Sequence, residues 1–499
     1  MRSISIKLVI AILCIGSSCK KMQTITFSDM HPDLFPDYSD VTIPPNIAPL
    51  NFQITDESER FRVVFIAGSD SFDVICKRQV DIPAKKWKNL LSANTGEKLT
   101  IRIFAEKRLW EQTEIKTPIF AKKERHWEQY RDVSLRIATE PVDPYIAYRL
   151  IKPGYEYWDQ MGIYQRHLES FKETPVMVNT LTDGSCMNCH AFCKNNPQKM
   201  LFHNRATHPG TILINEGQIS KLNTKTPDNI SAAVYPRWHP QGRYIAFSTN
   251  QTSQAFHSVD PNLIEVYDSA SDLVIYDTET QTLSSQPYIH STQRLETFPE
   301  WTPDGRYLYF CSAPALQMPD HYDSLRYDLF RIDFDPETGK TGAKIQYAWQ
   351  PSKFGKSVTL PRISPDGRYM VVCLSDYGTF PVWHHETDLY LLDLESGRIE
   401  EMSAVNSAES DSYHSWSTNG RWLIFSSRRI DGRHSRLYIT YFDAGGAFHK
   451  PFLLPQRDPH LYDKSLKSYN VPEFISGKIK TNIRRLERVI KGESINVSD

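Results

Sequence analysis

Apolar and polar residues alternate with a period of two through most of the chain, in short runs bounded by Pro, Gly, Asn and Asp. That period sends successive side chains to opposite faces of a strand, and the bounding residues are those that turns require, so the pattern predicts an all-β chain. Short strands such as Phe61–Ile66 and Leu99–Phe104 predict a small β-sandwich-like domain over residues 44–125. Helical spacing emerges only near the end of the chain. There Ile479, Ile483, Leu486 and Ile490 share one face of a basic segment, which predicts a helical tail over 476–499 that docks on the preceding domain.

Between these regions the pattern repeats. The segment from Pro236 to Ser248 (PRWHPQGRYIAFS) returns from Pro299 to Cys311 (PEWTPDGRYLYFC), from Pro361 to Cys373 (PRISPDGRYMVVC) and from His414 to Ser426 (HSWSTNGRWLIFS). The copies are spaced by 63, 62 and 53 residues, a period suited to propeller blades with insertions. Pro-Asp-Gly supplies a tight turn, because Pro fixes the first φ and Gly accepts a positive φ at the exit. Downstream strands such as Asp272–Asp277, Asp328–Asp333 and Asp388–Asp393 alternate so that each buries a face against the next blade. These repeats resemble those of TolB-family β-propellers over roughly residues 210–450. The resemblance implies a propeller domain over 126–475, and strands near Ile146–Ile151, Ile163–Leu168 and Thr211–Ile214 bring the expectation to five or six blades.

At 499 residues the chain is long enough for two or three domains. Its 58 Lys+Arg and 59 Asp+Glu nearly cancel without long single-sign blocks, which sets nucleic-acid binding aside. Arg2 and Lys7, an apolar stretch from Leu8 to Ile15, and the small residues Gly16, Ser17 and Ser18 precede Cys19. The apolar run is too short for a membrane span and reads as a secretory signal over 1–19. Small residues directly before a cysteine resemble a bacterial lipoprotein signal, although Gly16 stands where a large aliphatic residue is usual. That resemblance implies lipidation of Cys19, a polar tether over 20–43 and a place at the outer membrane, facing the periplasm or the exterior. Cleavage near Ser18 without lipidation is the alternative.

Of the eight cysteines, three crowd into eight residues, and two of these belong to Cys186-Met187-Asn188-Cys189-His190. This CxxCH sequence is the attachment signature of c-type haem, in which two closely spaced thiols bond the two vinyl groups of one porphyrin and the adjacent imidazole reaches the iron. The resemblance to c-type cytochromes implies one covalent haem c, with Cys186 and Cys189 as thioether residues and His190 as proximal ligand. No compact helical cytochrome domain surrounds the motif, so the haem is expected on a loop insertion over 180–210. Local candidates for the sixth iron ligand are His203, Met200 and His208, with His203 preferred. Two alternatives stay open: a zinc site using Cys186, Cys189, Cys193 and either His190 or His203, and a disulfide such as Cys189 with Cys193. Cys76, Cys311 and Cys373 read as core residues.

No Gly-x-Ser-x-Gly elbow, HExxH helix or Gly-rich phosphate loop is present, so hydrolysis has no positive case. The expected function is electron transfer or haem binding in the cell envelope, with a redox partner or envelope protein docking on the propeller. A TolB-like interaction module with a structural cysteine cluster, or an oxidoreductase with an open iron position, are the alternatives.

Overall fold

The computed structural model describes residues 25–109, 124–152 and 160–498; the signal segment and Cys19 lie outside them. The chain divides into two units. The first comprises residues up to 45, 49–139 and 455–461, and the second comprises 46–48, 140–454 and 462–499.

The first unit holds a seven-stranded sheet and a separate three-stranded sheet. It also holds a helix that the strand pattern concealed, Ala84–Ala93, whose Trp87, Leu90 and Leu91 are buried. Trp87 meets Phe65 edge-on, with ring centroids 6.0 Å apart. Two boundaries differ from expectation, and hydrogen-bond pairing explains both. Ile25–Phe27 joins Glu124–Gln129 in parallel, so the expected tether is part of a sheet from Ile25 onward. Val133–Ile137 pairs with Lys98–Leu109, so the unit runs to residue 139 rather than 125.

The second unit is a β-propeller with six blades among the described residues. Blade 1 is assembled from both ends of the unit: Ser468–Ile475 is its innermost strand, followed outward by Tyr145–Ile151, Gly162–His167 and Glu173–Val178. Blades 2 to 6 start from the inner strands Cys186–Phe192, Ala233–Trp238, Arg294–Trp301, Ser357–Ile363 and Asp411–Trp416. The C-terminal segment therefore closes the ring. Alternation buries both faces of each blade. Met187, Phe192, Met200 and Ile214 of blade 2 pack with Ile163, Met177 and Ile475 of blade 1 and with Ile479, Leu486 and Ile490 of the tail. The tail helix, Ile483–Lys491, is capped by Asn482, whose side chain accepts from the amides of Arg484 and Arg485.

The repeated turns behave as the sequence predicts. Gly305 adopts φ +76 and donates its amide to the carbonyl of Thr302, while Thr302 N donates to Tyr307 O and starts the next strand.

Candidate functional site

The segment expected as a loop insertion is the start of blade 2. Cys186–Phe192 is its inner strand and Lys199–Arg205 its second strand. The reason is visible once the blades are superimposed in sequence. Cys189-His190-Ala191-Phe192 occupies the place of Tyr235-Pro236-Arg237-Trp238 and Tyr413-His414-Ser415-Trp416, and Met200-Leu201-Phe202 the place of Ile245-Ala246-Phe247. The motif is thus a fifth, degenerate copy of the repeat. Phe replaces Trp, and the turn lacks Pro-Asp-Gly.

Every inner strand carries the same irregularity. In blade 2 the ladder slips between Asn188 and Ala191, so that Cys189 and His190 together oppose Phe202. Equivalent slips precede Arg237, Glu300, Arg362 and Ser415, and blade 1 has one between Ala147 and Arg149 on the strand facing Ser468–Ile475. Two residues against one is a β-bulge. At each bulge one residue is left-handed: Cys189 (φ 53), Tyr235 (φ 49), Phe298 (φ 51), Leu360 (φ 50), Tyr413 (φ 47) and Val471 (φ 51). These six residues, one per blade, line a single cavity of about 670 Å³. The strain at Cys189 is therefore a property of the ring rather than of the motif.

The bulge has a chemical consequence. Strict alternation places residues three apart on opposite faces of a strand. The extra residue shifts the phase, and Cys186, Cys189 and His190 all line the cavity. The thiols are brought to one cavity by a bulged strand. Both are free. Arg205 Nη2 donates to Cys186 Sγ at 3.5 Å, and burial pushes the Cys189 thiol up. His190 is 2% exposed, and neither ring nitrogen meets a hydrogen-bond partner of proper geometry. Burial, reinforced by the charges of Arg149 and Arg237, pushes its pKa down to about 3, with the Val471 backbone pulling weakly the other way; the imidazole is neutral.

The other predicted residues lie elsewhere. His203 falls at the place of Ser248, Cys311, Cys373 and Ser426; it is 3% exposed, with Nδ1 3.3 Å from Thr211 Oγ1. Met200 is buried between blades 1 and 2, and His208 Nε2 sits 2.8 Å from Asp183. None of the three is among the cavity-lining residues. Cys193 is buried between blades 2 and 3, its Sγ 3.8 Å from the carbonyl of His239. It lies outside the cavity lining, and no group of three His, Cys, Asp or Glu side chains among the described residues is arranged to hold a metal. Cys311 and Cys373 are fully buried, whereas Cys76 is half-buried on a strand of the first unit.

Sequence reasoning missed the cations. Arg149, Lys152, Arg205, Arg237, Arg362 and Arg428 all line the cavity. Arg237 and Arg362 reach Glu300 at 3.0 and 3.6 Å, and Arg237 lies 3.8 Å from Glu473. Burial pushes both carboxyls up to about 7 against the pull of Arg237. Arg428 stacks on the Trp383 ring at 3.5 Å. The arginines after the bulge do recur in the repeats, as Arg237 and Arg362, but Arg149 and Arg205 belong to no legible pattern.

No protein-family model matches the sequence, and no curated protein matches it. Among solved structures the chain is similar to TolB from Acinetobacter baumannii, at 14% identity over 78% of this chain and 85% of that one, with a TM-score of 0.43. It is similar to hydrazine synthase of Kuenenia stuttgartiensis at 12% identity, over 68% of this chain and 48% of that one, with a TM-score of 0.44. The β-propeller domain of the Trilobed protease from Pyrococcus furiosus matches at 12% identity, over 72% and 95%, with a TM-score of 0.34. The class of the protein, a six-bladed β-propeller among the described residues, is read from its own sheets and repeats. No helix among the described residues is long and apolar enough to cross a membrane.

Proposed function

We propose that this protein holds one covalent haem c in the axial cavity of its propeller and serves electron transfer or haem binding in the cell envelope. Cys186 and Cys189 are the thioether residues and His190 the iron ligand. The observation that carries this reading is the convergence of two free thiols and a buried neutral imidazole on one cavity. Neutral imidazole is the metal-ligating form. The volume of about 670 Å³ lies in the range of cofactor sites.

When bound, haem c supplies reversible one-electron chemistry at its iron. The residues of the chain prepare the place. The bulge presents the Cys189 thiol, blade packing fixes the His190 ring, and burial keeps protons off it. Apart from His190 the lining holds no His and no Met among the described residues. Haem held here would be ligated by His190 and not by His203 or Met200, and it would supply an iron able to bind an added ligand.

The test is the absorption spectrum of protein matured in a host that attaches c-type haem. Covalent haem is expected in the parent and in Cys193→Ala, one thioether less in Cys186→Ala or Cys189→Ala, and immediate binding of cyanide or carbon monoxide. A parent that emerges without covalent haem overturns the reading.

A second reading is favoured by the hairpin Tyr244–Phe256/Ile264–Asp277, which carries exposed Phe256 (54%) and Val259 (94%), Phe256 being at the cavity lining. In it the propeller is a docking module for an envelope protein or peptide. Binding of such a partner that is unchanged in Cys186→Ala and lost in Phe256→Ser supports it.

A further inference from the structure

The cavity wall carries one sign of charge. Among the described residues, six cationic side chains line it and no Asp or Glu does. Glu300 and Glu473 answer Arg237 and Arg362 from the bulges, but among the described residues Arg149 and Arg205 have no acidic partner within salt-bridge distance. Arg149 Nε is buried without a hydrogen-bond partner. Arg205 is exposed and lines the cavity, and its side chain donates to the Cys186 thiol, a weak acceptor, at 3.5 Å. They come from adjacent blades, Arg149 from the second strand of blade 1 and Arg205 from the second strand of blade 2. Guanidiniums gathered in a concave, partly dehydrated space repel one another and lose hydration, a cost that an anion relieves. A guanidinium also offers a planar fork of donors matched to a pair of oxygens.

We propose that Arg149 and Arg205 form a receptor for an anionic oxygen group, a carboxylate or a small oxyanion, inside the propeller cavity. The proposal rests on the haem reading for the identity of one of its two sources. The group is either a carboxylate of the porphyrin itself or a free oxyanion held beside it as a ligand or substrate. The chemistry recognised is the same, and the lining residues that would accept it are the same.

Calorimetric titration with sulfite, nitrate and succinate at constant ionic strength separates the sources. It is performed on the matured protein and on the Cys186→Ala/Cys189→Ala chain, which cannot attach haem. Binding to both forms, weakened about tenfold or more by Arg149→Gln or Arg205→Gln, identifies a free oxyanion as the ligand. Binding to the haem-free chain alone, weakened by the same variants, identifies the porphyrin carboxylates as the natural occupant. Absence of binding to both forms, or binding that Arg149→Gln and Arg205→Gln leave unaltered, overturns the proposal. Because the parent chain is itself titrated, a variant that fails to fold does not shelter the idea. A parent that never acquires haem, yet binds these anions through Arg149 and Arg205, sinks the haem reading and leaves the receptor standing.

Discussion

The indole nitrogen of Trp301 in blade 4 donates to the main-chain carbonyl of Arg237 in blade 3, 3.1 Å away. Trp416 makes the same bond to Arg362, one blade pair further round, also at 3.1 Å. The repeated aromatic of the blade motif is thus a strut between neighbours as well as core. Trp238 occupies the same position in blade 3, but its buried indole nitrogen has no partner. Trp301→Phe should therefore destabilise the protein by about 1 kcal/mol more than Trp238→Phe, the net value of one hydrogen bond. Urea unfolding of the two variants measures this, and equal losses would remove the strut from the account.

The six left-handed residues make a prediction about sign. In an ordinary strand Gly is worse than Ala, because it loses more chain entropy. At Val471, with φ 51, Ala keeps the steric cost of the left-handed region and Gly escapes it. Val471→Gly should be more stable than Val471→Ala by about 1 kcal/mol. The reverse order in thermal melts would mean that the bulge relaxes when the side chain is cut.

Ring closure depends on the segment after Leu454, and Gln165 holds it. Its side-chain amide accepts from Ile479 N at 2.8 Å and donates to Ile479 O at 3.0 Å, as a strand partner would. The residue is 3% exposed, so Gln165→Leu strands two buried backbone groups, at a cost of about 2–4 kcal/mol. Hydrogen exchange at the Ile479 amide should accelerate in step. Unchanged protection there would contradict the clamp.

A pH dependence follows from His384. Burial works against its charge, but hydrogen bonds to Glu265 and Glu386 prevail and raise its pKa from 6.5 to about 9. A raised folded pKa means that the contribution is complete below about pH 6.5 and is lost as pH climbs through about 9. The stability advantage of the parent over His384→Gln should accordingly shrink between those limits. A gap in urea midpoint that stays constant over that interval is the contrary result.

The propeller could be read from the chain because its determinants are local. Trp238, Trp301 and Trp416 each precede a turn and an alternating strand, and that order survives in any environment. Blade 2 escaped because Cys189–Phe192 keeps the bulge and the aromatic position but exchanges Trp for Phe and replaces the Pro-Asp-Gly turn with Cys193–Asn196, in which Lys194 and Asn195 are left-handed. The helix Ala84–Ala93 escaped for a related reason. Only Trp87, Leu90 and Leu91 mark its buried face, too few to stand out among strands.

The sequence alone determined the all-β class, the repeating blade and the spacing of two cysteines and a histidine, because turn residues, alternation and side-chain type are carried by neighbouring positions. Tertiary structure decided where that chemistry is spent. Whether Cys186 and Cys189 share a face depends on a bulge defined only against the partner strand, and that strand keeps His203 out of the cavity lining. The gathering of Arg149 and Arg205 near Cys189 depends on Ser468–Ile475 returning to complete blade 1. A cavity belongs to the strands that enclose it, and here these are joined by contacts between residues hundreds of positions apart.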